Sequence, residues 1–135
     1  YFPALGKSWS GGEPLPGGDF DIGDRHELIL RLQRSFEFLT PEWATRLVTA
    51  YGTDAFMILE GAVSCEDLGQ HFGGTLHARE VDWLVTREWA TSADDILWRR
   101  SKLGLVLTAA EASALDSYLG GTRRASAGDN VAVAE

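Results

Sequence analysis

The sequence is short of cysteine, of positive charge and of long apolar runs, and each shortage excludes something. Cys65 is the only thiol among 135 residues, so no internal disulfide can form. A stapled secreted scaffold is thereby excluded, and a reducing compartment is expected. Twelve Lys and Arg stand against twenty Asp and Glu, for a net charge of −8. That balance argues against duplex nucleic acid or an anionic membrane surface bound through bulk electrostatics. No apolar stretch approaches the ~20 residues that span a bilayer. The opening Tyr1-Phe2-Pro3-Ala4-Leu5-Gly6 has neither a basic start nor a long apolar core, so it does not read as a signal peptide. Methionine is missing from position 1, as expected of a piece cut from a longer chain.

What is present suits one small domain. Apolar residues make up 44% of the chain, enough for a core. Three of the prolines (Pro3, Pro14, Pro16) and two glycine pairs crowd residues 1–23, which read as an extended Pro/Gly-rich arm. Trp9 and Phe20 give that arm large apolar groups suited to packing on a surface.

From Asp24 to residue 120 the pattern is helical. Asp24-Arg25-His26-Glu27 has the form of a capping box, and Leu28, Ile29, Leu32 and Phe36 mark one face, with Glu27 and Arg31 as an i,i+4 pair. Thr40-Pro41 opens a second helix with the stripe Trp43, Ala44, Leu47, Val48 and Tyr51, ending at Gly52. A short helix is predicted from Thr53 to Leu59, then a glycine-rich connection over 60–74. The span from Thr75 to Ala90 predicts the longest helix, with Leu76, Val81, Leu84, Val85 and Trp89 inward. Ser92 to Asp95 caps the next. Thr108 to Glu111 is a full capping box ahead of Ala112, Leu115, Tyr118 and Leu119, with Gly120-Gly121 as a stop. Residues 121–135 are small and polar and predict a disordered tail. No strand alternation is convincing. The expected fold is all-α, a compact bundle of five or six short helices without internal repeats.

Catalytic chemistry is hard to find. Asp94 and Asp95 are neighbours that point about 100° apart, and their place in a first turn is explained by capping. His26, His71 and His77 lie in no metal-binding context, Cys65 has no second thiol, and the glycines form no phosphate cradle. One stretch stands apart: Trp98-Arg99-Arg100-Ser101-Lys102 gathers three cations in an acidic chain. Arg100 falls on the helical line of Ala93, Ile96 and Leu97. An arginine there either pairs with a nearby acid such as Glu88 or faces another domain. A short patch does not outweigh the acidic total, so no nucleic-acid partner is expected.

The run Arg87-Glu88-Trp89-Ala90-Thr91-Ser92-Ala93-Asp94-Asp95-Ile96-Leu97-Trp98-Arg99-Arg100-Ser101-Lys102-Leu103-Gly104-Leu105 resembles the C-terminal domain of the aerobic, FAD-dependent, quinone-linked glycerol-3-phosphate dehydrogenases. Leu15-Pro16-Gly17-Gly18-Asp19 resembles that family's entry into the domain. Tyr51-Gly52-Thr53, Asp67-Leu68-Gly69 and Phe72-Gly73 resemble its central part. The likeness covers roughly residues 1–119. The chain departs from many relatives at Ser101, where they carry Thr, and at Ser8, where they carry Pro.

The resemblance implies a parent enzyme that oxidises glycerol 3-phosphate to dihydroxyacetone phosphate and passes electrons to FAD and then quinone. It implies a cytoplasmic enzyme held peripherally on the inner face of the cell membrane. The FAD and substrate residues of the family lie upstream, so no catalytic, cofactor or metal residue transfers to this chain. The expected role is a non-catalytic helical cap on the FAD-binding domain, with Trp98, Arg99, Arg100, Lys102 and Trp9 as contacts. A fragment deprived of that partner is expected to expose an apolar patch and to self-associate. The competing reading is a free-standing acidic all-α interaction module.

Overall fold

The computed structural model describes the backbone of residues 11–129 and the side chains of residues 11–121. Helices dominate: α1 (Arg25–Ser35), α2 (Pro41–Tyr51), α3 (Asp54–Ile58), α4 (Ala78–Glu88) and α5 (Ala109–Asp129). A single π-helical segment, Asp95–Arg100, joins α4 to α5. Short 3-10 turns fill the connections at Ile22–Asp24, Cys65–Leu68 and Leu103–Leu105.

Local chemistry accounts for most boundaries. Thr40 Oγ1 accepts the Trp43 amide at 3.2 Å and Pro41 takes the first helical position, so α2 starts where the sequence predicts. Its five-residue stripe is buried throughout. Thr108 and Glu111 form the expected reciprocal box, with the Thr108 amide donating to Glu111 Oε2 at 2.7 Å and the Glu111 amide to Thr108 Oγ1 at 3.3 Å. Leu28 and Leu32 of α1, Val81 and Leu84 of α4, Ile96 and Leu97, and Leu115 and Leu119 of α5 join one continuous core.

Four local expectations are corrected. Asp24 makes no side-chain cap; Asp21 caps the preceding turn instead, accepting the Gly23 amide at 3.3 Å. Glu27 pairs with Arg34 at 3.3 Å, while Arg31 lies 5.1 Å from the centre of the Phe56 ring. Residues 71–77 form a small antiparallel hairpin, β1 (His71–Gly73) with β2 (Leu76–His77). Its strands are too short to display alternation, and Gly73 and Gly74 at φ 123° and 56° supply the turn. Finally, α5 passes through Gly120-Gly121. Neither glycine adopts the left-handed conformation a helix stop requires. The expected disordered tail is therefore helical as far as Asp129, and its last residues lie outside the described ones.

Candidate functional site

The arm and the α2–α3 corner meet backbone to backbone. Gly17 accepts the Thr53 amide at 3.0 Å, and Thr53 Oγ1 donates to Asp19. A Cβ on Gly17 would lie 2.1 Å from the Tyr51 carbonyl oxygen, and one on Gly52 would lie 1.8 Å from that of Gly17. Both residues also sit at positive φ, 73° and 56°. Only glycine fits on either side of this crossing. Two separated stretches, Leu15-Pro16-Gly17-Gly18-Asp19 and Tyr51-Gly52-Thr53, are thus halves of one contact.

Beside the crossing lies an open groove of about 640 Å³. Pro16 forms one lip, Tyr51 and Met57 come from the α2–α3 corner, and Trp83, Arg87 and Trp89 come from the end of α4. Below it, Tyr51 is anchored through its hydroxyl, which donates to Glu80 Oε1 at 2.7 Å. Arg46 grips both oxygens of the same buried carboxylate at 2.7 Å each. Burial, followed by the negative charge of Glu80, pushes the Tyr51 hydroxyl far above its ordinary titration range. Tyr51 therefore stays a neutral donor, and the cluster serves as a fixed footing for the groove.

Trp89 was expected inside and is 82% exposed. It follows the last residue of α4 in the left-handed conformation, φ 54°, and the Trp89 and Ala90 amides both close on the Leu84 carbonyl. The helical line that would carry its ring inward ends one residue earlier, and the reversal swings the ring out.

The cationic stretch is dispersed. Arg99 is bridged to Asp95 at 2.9 Å on the surface. Arg100 donates to the Glu88 carbonyl at 2.7 Å and lies 3.5 Å from its carboxylate, which is the local pairing the sequence allowed. Lys102, itself left-handed at φ 60°, donates to the Trp98 carbonyl. Trp98 is half exposed and lies against Gly104, where an added Cβ would be 2.6 Å from the indole. Of these four residues only Arg100 lines the groove, and Trp9 lies outside the described residues. Arg100 and Lys102 thus close helix-end carbonyls, as cations do at C-termini.

The π-helical segment has its own devices. Asp95 accepts from the Thr91 amide and hydroxyl at 3.1 and 3.0 Å, and its own amide donates to Ser92 Oγ at 3.1 Å. The Thr91 amide first, then the Thr91 and Ser92 hydroxyls, hold the Asp95 carboxyl down to about 2. At the other end Ser101 Oγ donates to the Ile96 carbonyl at 2.7 Å and accepts the Leu103 amide at 3.3 Å. A threonine hydroxyl could make the same pair.

His77 stacks on Trp43, with ring centres 5.1 Å apart, and burial lowers its basicity. No cluster of three potential metal ligands occurs among the described residues, and none of their helices is long and apolar enough to cross a membrane.

Architecture and groove together define a small, predominantly helical domain whose entering arm is pinned at the lip of an aromatic-lined cleft. Residues 10–119 match the family described as the C-terminal domain of alpha-glycerophosphate oxidase, and the chain belongs to that family. It is 44% identical over 119 residues to a glycerol-3-phosphate dehydrogenase of Pseudomonas aeruginosa, covering 88% of this chain and 23% of that protein. It is 37% identical over 119 residues to the aerobic glycerol-3-phosphate dehydrogenase of Escherichia coli, covering 88% and 24%. A D-erythritol 1-phosphate dehydrogenase of Brucella abortus is 39% identical over 113 residues, covering 84% and 22%. The chain spans less than a quarter of the length of each of these relatives.

Proposed function

We propose that this chain is the C-terminal cap of an FAD-dependent glycerol-3-phosphate dehydrogenase, packed on an upstream domain that binds flavin and substrate. The parent enzyme oxidises glycerol 3-phosphate to dihydroxyacetone phosphate and delivers the electrons through FAD to quinone, as a cytoplasmic protein attached peripherally to the inner face of the cell membrane. The observation that carries this reading is the match over residues 10–119 to relatives named as glycerol-3-phosphate dehydrogenases.

Two features bear on the division of labour. The same domain occurs in a relative named for D-erythritol 1-phosphate, so one cap architecture accompanies polyol phosphates of different length. That supports placing substrate choice upstream. The residues present here do not fit FAD either. A flavin diphosphate seeks a helix N-terminus free of negative charge. In this domain α1, α2, α3, α4 and α5 carry Glu27, Glu42, Asp54, Glu80 and Glu111 in their first turns. In this reading the upstream part holds the flavin, and this domain supplies packing surface.

The test is the full-length protein from the same gene. It should purify with a flavin absorbance spectrum and reduce a quinone analogue when given glycerol 3-phosphate. A full-length protein that holds no flavin, or that leaves glycerol 3-phosphate unoxidised with flavin bound, would end the proposal.

A further inference from the structure

The geometry points to the Trp89 groove, and not to the Trp98–Lys102 stretch, as the seat on which the upstream part of the same polypeptide docks; this rests on the cap reading above. Four observations converge there.

First, Trp89 combines two local costs. A non-glycine residue in the left-handed conformation is disfavoured, and an indole 82% exposed gains little from the rest of this domain. Met57, on the facing corner, is also exposed by half. Two large apolar side chains left open across one cleft call for an apolar group between them.

Second, the charges of the groove are unequally settled. Arg100 and Glu88 satisfy each other. Arg87 lies over the Trp83 ring, 5.3 Å from its centre, and no acid among the described residues pairs with it. A guanidinium stacked in this way is oriented but still free to take a carboxylate.

Third, the cations of the alternative face are each engaged within their own turn. Arg99 is bridged to Asp95 and Lys102 donates to the Trp98 carbonyl, whereas Arg87 has no such acidic or carbonyl partner among the described residues.

Fourth, the chain itself delivers the occupant. The arm is pinned at Gly17 and forms the groove lip at Pro16. From Pro16 back to Tyr1 is fifteen residues, a reach of at most about 54 Å. The relatives are more than four times as long as the stretch they share with this chain, and the family is named for a C-terminal domain, so the remainder precedes the arm. A partner on the same polypeptide meets the groove as an intramolecular neighbour, at an effective concentration set by that reach. The occupant is therefore a surface segment of the upstream domain that presents an apolar side chain to Trp89 and Met57 and a carboxylate to Arg87.

Photo-cross-linking in the full-length protein tests this. A benzoylphenylalanine replaces Met57 or Trp89 in the groove, or Arg99 or Leu105 outside it, and linked peptides are mapped by mass spectrometry. Position 57 keeps the test valid if the change at 89 impairs folding. Links from 57 or 89 to peptides upstream of Tyr1, with loss of that product at 99 and 105, support the inference. Upstream links from 99 or 105 only would overturn the groove and leave the cap reading standing. Upstream links from neither face would overturn both. Links from 57 or 89 between isotopically distinct copies, without upstream peptides, would make a second copy the occupant and overturn the inference.

Discussion

Replacing Glu80 by alanine should cost this domain about 4 kcal/mol, and the reason lies in what would be left behind. Glu80 is 4% exposed and accepts three hydrogen bonds of 2.7 Å, two from Arg46 and one from Tyr51. Removing one partner of a buried ion pair typically costs ~3–5 kcal/mol, because the other charge remains buried without its counterpart. The orphaned Tyr51 hydroxyl alone would add ~1–3 kcal/mol, but the two losses share one centre and do not sum. Arg46 retains a 3.3 Å contact with the Thr75 carbonyl, which carries no compensating charge. Against a total stability of ~5–15 kcal/mol, the loss brings a small domain near its unfolding threshold. The double variant Arg46→Met, Glu80→Met removes both charges together and should lose only ~1–2 kcal/mol, mostly for Tyr51. Urea unfolding followed by tryptophan fluorescence measures each value, and the single variants Arg46→Met and Glu80→Met complete the cycle that yields the coupling. If Glu80→Ala costs less than ~1 kcal/mol, or the double variant is no more stable than Glu80→Ala, the view of the cluster as a mutually dependent footing is wrong.

Other perturbations read other links of the structure. At position 89, glycine should be more stable than alanine by about 1 kcal/mol, the reverse of a helix interior, because both lose the indole but only glycine fits the left-handed turn; equal melting curves would contradict the assigned backbone. Gly52→Ala should destabilise by ~2 kcal/mol or more and speed proteolytic nicking within residues 11–18, since its Cβ would sit 1.8 Å from the Gly17 oxygen; unchanged nicking would mean that the arm is not held there. Asp95 is more acidic folded than unfolded, so its contribution is present above pH ~4 and disappears as pH falls toward 2; Asp95→Asn should flatten stability over that window, and an unchanged acid limb would reject it. His77 is less basic when folded, so it costs stability as pH falls below ~6.5; His77→Phe, which can still stack on Trp43, should lessen the loss between pH 7.5 and 5, as thermal melts at the two pH values would record.

The helical frame was legible because its signals are local. The Thr40-Pro41 start, the Thr108–Glu111 box and the α2 stripe each depend on residues within a turn or two of one another, and each is found as read. The site was less legible because it depends on where helices end. Continuing the periodicity of α4 by one residue put Trp89 in the core; the chain instead reverses there, at a place where glycine is the usual signal and none stands. The sequence leaves Arg100 between Glu88 and an outside partner, and within this domain it pairs with Glu88. Arg99 and Lys102 crowd together in sequence, but their side chains reach separate local acceptors, Asp95 and the Trp98 carbonyl. Nothing in spacing alone could pair Gly17 with Gly52 across 35 positions; only the backbone approach explains why neither tolerates a side chain.

The Gly17–Gly52 crossing also has a mechanical consequence. A strand of chain fastened by a backbone hydrogen bond and flanked by two glycines at hard contact behaves as a rivet rather than as slack cord. Whatever pulls or twists at Gly11 loads the α2–α3 corner directly, and Tyr51, at that corner, carries the load into Glu80 and the start of α4. Displacement at the entrance therefore moves this domain as one piece.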